Sequence, residues 1–205
     1  MKTLPPFYDD RFLRMNKSQL LAVLQIAGKD YENRISDLLI EQLRNGLVTN
    51  VVHPEKILEE IVVLEGLSKS TSRTLPAAPF KVGILNKHKL WKKHFLLPGS
   101  IGKNMLNALK LENENSNFFE QLVYLVKRKS KSNEQFAATL ANVAKELFLE
   151  KLRNGKLTGE WIVFKKYERK NYYLTLASHS EKNEEIIRRI LDDCRSQYPF
   201  LFEVG

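Results

Sequence analysis

Trp161-Ile162-Val163-Phe164 and Tyr172-Tyr173-Leu174-Thr175-Leu176 stand on either side of the polar run Glu168-Arg169-Lys170-Asn171. Both flanks consist of aromatic, aliphatic and β-branched residues, which fit a pleated surface, and the polar residues between them suit a turn. The stretch reads as an antiparallel hairpin over residues 160–177. A lone hairpin is marginal in water, so it needs a third strand or a helix to pack on. Phe80, Val82 and Ile84 alternate along residues 80–86 and offer that strand.

Outward from the hairpin the pattern turns helical. Leu20, Leu21, Leu24 and Ala27, then Ile35, Leu38, Leu39 and Leu43, recur at helical spacing. They predict a helix from Ser18 to Arg44, with Gly28 a point of kinking or splitting and Asn45-Gly46 its end. His53-Pro54-Glu55 opens a second helix that Gly66 ends. Ser68 to Pro79, dense in Ser, Thr and Pro, reads as a mobile loop. Ser100 to Leu111 and a segment around Phe118–Val126 read as helices, and residues 133–153 as a longer one. Its inward stripe is Phe136, Leu140, Val143, Ala144, Leu147 and Phe148. After the hairpin, Ser178 and Glu181 have capping-box spacing, and Ile186, Ile187, Ile190, Leu191 and Cys194 line a last helix. The sum is an α+β fold, mainly helical, with a small C-terminal antiparallel hairpin or sheet packed on helices. Its parts are an N-terminal helical region (1–66), a basic loop-rich segment (67–111), and helices with the hairpin and a C-terminal helix (112–205), together one compact domain.

Composition narrows the chemistry. Of 205 residues only Cys194 is a cysteine, which excludes an intramolecular disulfide framework and a multi-cysteine metal cluster. No apolar run reaches the ~18 residues of a membrane span, so no membrane partner is expected. The N-terminal Met1-Lys2-Thr3-Leu4-Pro5-Pro6 has no apolar signal core, which makes the cytoplasm the expected location. Phosphate-loop and dinucleotide glycine patterns and the nucleophile elbow are missing from the sequence, and no cofactor is implied.

The net charge of +9 is concentrated. Residues 1–65 sum to −2 and residues 112–205 to +2, while residues 66–111 hold nine Lys or Arg and no acid. Within that block Lys87-His88-Lys89-Leu90-Trp91-Lys92-Lys93-His94-Phe95 interleaves four lysines with two aromatic rings. Lysines attract phosphates, and exposed rings stack on unpaired bases. The expectation is a nucleic-acid-binding protein, for RNA or DNA, with Lys87, Lys89, Lys92 and Lys93 leading the phosphate-contacting face, Arg73 and Lys103 flanking it, and Trp91 available for stacking. Lys165, Lys166 and Arg169 on the hairpin offer a second wall.

Two other readings remain open. One is a small metal-independent nuclease or toxin-like RNA-processing enzyme in which His94 or His179 transfers protons. The other is an interaction module whose basic face meets an acidic protein. His88 and His94 are six residues apart, which is not a metal-ligand spacing, and no metal site is predicted.

Overall fold

The computed structural model describes residues 10–49, 52–69, 74–96, 124, 126–153 and 160–203. β3 (Glu160–Tyr167) and β4 (Lys170–Ala177) form the hairpin, paired from Trp161 opposite Ala177 to Tyr167 opposite Lys170. Only Glu168 and Arg169 lie between the last paired residues, and both have positive φ, of 48° and 63°. Two left-handed residues in a two-residue loop match the right-handed twist of the flanking strands. The register slips once between Val163 and Phe164, leaving Leu174 as the extra residue of a bulge.

The third strand is not the predicted one. Residues Gly83–Lys87 form a short helix, α4, and the strand beside β3 is β2 (Leu90–Phe95), with Trp91 opposite Phe164 and His94 opposite Trp161. Ala78–Pro79 adds a two-residue β1 against Lys92 and Trp91, so the end of the predicted loop is a strand. The sheet is antiparallel throughout, in the order β1-β2-β3-β4. Helices cover both faces of the sheet, so β2 does not alternate between an apolar and a solvent-facing side, and its polar residues Lys93 and His94 are buried with partners of their own.

Those two faces make two cores. On one, α1 (Lys17–Val23), α2 (Asp37–Thr49) and α3 (Pro54–Leu64) bring Leu20, Leu39, Leu43, Ile57 and Ile61 against Phe95, Ile162, Phe164 and Tyr173. On the other, α4 and the C-terminal helix α6 (Asn183–Cys194) bring Leu85, Ile186, Ile190 and Cys194 against Leu90, Trp161, Val163 and Leu174. Phe202 folds back onto this second core. Ile162 and Val163, adjacent in sequence, are both fully buried, one in each core.

The predicted first helix is divided. A residue with φ of 57° at Gln25 and a left-handed Gly28 end α1, a 3-10 turn covers Glu32–Arg34, and α2 begins at Asp37. Gly46 does not end α2, which runs on to Thr49. Its lack of a side chain serves packing: a Cβ there would lie 2.7 Å from the Val52 carbonyl oxygen. Ser178 and Glu181 do not cap α6, which starts after Lys182. Glu181 instead pairs with Arg189.

β4 is an edge strand whose free polar groups are covered. Ser36 N–H donates to the Tyr173 carbonyl at 2.9 Å, and the Gln42 side-chain oxygen accepts from Leu176 N–H at 2.7 Å. Arg189 donates to the Leu176 carbonyl at 3.0 Å. An edge closed this way cannot recruit another strand. A buried ion pair between Arg34 and Glu65 ties the 3-10 turn to the hairpin, since Arg34 also donates to the Asn171 carbonyl at 2.8 Å and Tyr173 O–H donates to Glu65 at 2.6 Å. Burial raises the Glu65 pKa, but hydrogen bonds from Arg34 and Tyr173 outweigh it and hold the carboxyl below its usual range.

These elements belong to one compact unit, Met1–Thr71 with Pro76–Leu97 and Gly159–Gly205. The second unit, Ser72–Leu75 with Pro98–Thr158, contains the long helix α5 (Asn133–Arg153). Ser132 Oγ accepts from Gln135 N–H at 3.1 Å, and the Gln135 side chain accepts from Lys131 N–H at 2.6 Å, which fixes the start of α5. Phe136, Leu140 and Val143 are half-buried along one stripe, as predicted. The side chains of Ala144, Leu147 and Phe148, and the helices expected at Ser100–Leu111 and before Tyr124, lie outside the described residues. No helix among the described residues is long and apolar enough to cross a membrane.

Candidate nucleic-acid interface

Strand geometry distributes the predicted basic segment. Successive residues of β2 point to opposite faces. Trp91, Lys93 and Phe95 face the α1–α3 core, and Leu90, Lys92 and His94 face the side of α4 and α6. The four lysines of 87–93 therefore do not share a surface.

Lys93 corrects the expectation most sharply. It is buried, and its Nζ lies 3.2 Å from Glu60 Oε2 of α3, the two side chains being 5 % and 3 % exposed. A buried cation needs a buried anion, and Glu60 supplies it. Trp91 is half-buried against Phe164, with ring centroids 6.2 Å apart, and the Lys166 ammonium sits 3.7 Å from its ring centroid. That cation–π contact occupies the ring the sequence offers for base stacking. Lys92 is half-buried, its Nζ 4.5 Å from the Trp161 ring centroid and 5.1 Å from that of Phe80. Arg73 and Lys103 lie outside the described residues.

The cations that do come together are at the end of the sheet where β2 begins and β3 finishes. Leu90 is in register with Lys165, which places the α4–β2 turn beside the tip of the hairpin. Lys87 and Lys89 on that turn are exposed, as are Lys166, Arg169 and Lys170. Lys89 holds its place with a φ of 54°. Lys165 is half-buried, donating to the Leu201 carbonyl with its Nζ 5.4 Å from the Phe202 ring centroid. Burial and then the charge of Lys89 lower the Lys165 pKa, and burial and then Lys165 lower that of His88. Further along the same face, burial and then Lys81 lower that of Lys92. The charged neighbours that shift these three groups are all lysines, so the potential there is positive. Glu168, exposed at the hairpin turn, is the acid closest in sequence.

The structure also brings together the two candidate catalytic histidines, which are far apart in sequence. His94 and His179 stack with ring centroids 5.5 Å apart, and His179 lies 4.4 Å from the Trp161 ring centroid. Trp161 Nε1–H donates to His94 Nε2 at 3.1 Å. His94 is 5 % exposed, and burial, followed by the charges of His179, Lys92 and Lys93, pushes its pKa down to about 4. It is therefore neutral at pH 7, which suits it to donating or accepting a hydrogen bond and not to carrying charge. His179 is exposed, its backbone N–H held by Glu160 Oε2 at 2.9 Å.

Sequence reasoning missed Glu60 and Trp161, the partners of Lys93 and His94. Glu60 carried a readable signal, since it follows Ile57 on the apolar face of α3 and precedes Ile61. No group of three or more His, Cys, Asp or Glu with metal-binding geometry occurs among the described residues. Comparison with protein-family models, curated proteins and solved structures yields no match.

Proposed function

We propose that the chain binds nucleic acid through the cationic end of its sheet, with Lys87, Lys89, Lys166 and Arg169 reaching phosphates and Lys165 adding to the field from behind. The observation that carries this reading is the apposition of the α4–β2 turn and the hairpin tip, where Lys89 sits close enough to Lys165 for its charge, after burial, to lower the Lys165 pKa. Folding does work here to bring like charges together, and a polyanion offsets that repulsion. The reading is narrower than the sequence expectation: Lys93 and Trp91 serve the core, and the contacts are to the phosphate backbone, which carries no sequence information.

The test compares the wild type with a variant in which Lys87, Lys89, Lys166 and Arg169 are all Gln, after circular dichroism has established equal folding. Fluorescence anisotropy with single-stranded RNA, single-stranded DNA and duplex reads the affinity at low salt. Losing four phosphate contacts lowers it by about tenfold or more on every probe. Equal binding by the variant, or tight binding of an acidic protein with none of nucleic acid, overturns the reading.

A further inference from the structure

His94 accepts from the Trp161 indole N–H, and an indole nitrogen can only donate. His94 Nε2 is therefore a lone pair, and since the ring is neutral its proton is on Nδ1. That Nδ1–H is buried and has no hydrogen-bond partner among the described residues. A buried donor without an acceptor is costly, and native proteins keep few of them. Among the described residues an acceptor for it is lacking.

The surroundings specify its charge. The Lys92 ammonium rests on the rings of Trp161 and Phe80 and has no ion-pair partner among the described residues. Lys81 adds positive charge beside it. The Glu160 carboxylate already accepts from the His179 backbone. A neutral acceptor satisfies Nδ1–H alone, whereas an oxyanion satisfies it and balances Lys92 as well. His179 stacks on His94 with ring centroids 5.5 Å apart and is itself exposed, which places the pair of rings at the surface.

We propose that His94, Lys92 and His179 form a phosphate-binding site, in which His94 Nδ1–H donates to a phosphate oxygen, Lys92 balances its charge and His179, stacked on His94, borders it. The site is built from groups other than those of the cationic sheet end and stands without that reading. A free phosphate compound and the terminal phosphate of a nucleic-acid strand present the same oxygens.

The experiment follows the imidazole nitrogens of His94 and the indole N–H of Trp161 by proton–nitrogen NMR. Millimolar inorganic phosphate is added first, then an oligonucleotide with a 5′-phosphate and its 5′-hydroxyl counterpart. A saturable shift of the His94 Nδ1 resonance with inorganic phosphate supports a site for free phosphate. A shift with the phosphorylated strand and none with its hydroxyl counterpart supports a strand end. Lys92→Met keeps the apolar stem on the rings and weakens either response about tenfold. His94→Asn retains a short side-chain donor and keeps the Trp161 response, whereas His94→Leu loses it. If His94→Leu does not fold, the Lys92→Met comparison decides. No shift with any probe, or a shift that Lys92→Met leaves intact, overturns the proposal. Strand binding without a His94 response defeats this site alone and leaves the sheet-end reading standing. A His94 response to inorganic phosphate without strand binding does the reverse.

Discussion

His94 and Trp161 face each other across the β2–β3 pair, and the Trp161 indole N–H donates to His94 Nε2 at 3.1 Å. The bond holds the imidazole neutral in a buried place, where burial and the nearby His179, Lys92 and Lys93 charges oppose a second proton. In the unfolded chain His94 takes up a proton below about pH 6.5. In the folded chain it does so only near pH 4. Between those values the unfolded state binds more protons, so stability falls as the pH drops through the window and is unaffected by this group above it. The full loss is on the order of 3 kcal/mol. Thermal unfolding from pH 7 to pH 4 should show a steeper decline for the wild type than for His94→Asn. Parallel curves would mean that His94 is protonated in the fold.

Lys93→Met should destabilise the protein by about 3–5 kcal/mol, because it leaves the Glu60 carboxylate buried beside an apolar group. Combining it with Glu60→Gln should recover much of that loss. Urea unfolding of the single and double variants measures both. Under conditions where both remain folded, their affinity for nucleic acid should match the wild type. A weakened affinity would place Lys93 back on the interface.

Much of the architecture was legible in residues 160–177, because aromatic and β-branched flanks around four polar residues have few other readings. The helix faces were legible for the same local reason, as at Ile57 and Ile61 or Ile186 and Ile190. β2 was not. Its six residues include Lys92, Lys93 and His94, and only the packing of Glu60 and Trp161 from distant segments makes a buried strand of them. Charge counting places the basic block along the chain. It could not tell that a strand through its middle sends Lys92 and Lys93 to opposite faces. His94 and His179 were singled out separately, and their stacking depends on the end of β4 coming back beside β2 across β3.

Gly46→Ala should destabilise the protein although Ala is the better helix former by about 1 kcal/mol. The new methyl would stand 2.7 Å from the Val52 carbonyl oxygen, a backbone atom that cannot yield without moving the start of α3. Overpacking of this kind costs about 1–3 kcal/mol, which exceeds the propensity gain. Thermal unfolding decides the sign, and a raised midpoint would show that the α2–α3 connection adapts freely.

If Lys87, Lys89, Lys166 and Arg169 meet phosphates at the end of the sheet, binding to a single strand depends steeply on salt. Four phosphate contacts release counterions with a slope of about −3 in the plot of log affinity against log salt. The wild type should show that slope with strands of unrelated sequence, and the variant with all four residues changed to Gln should flatten it towards zero. A wild-type slope near zero, or no binding even at low salt, would mean that these four side chains do not meet phosphates.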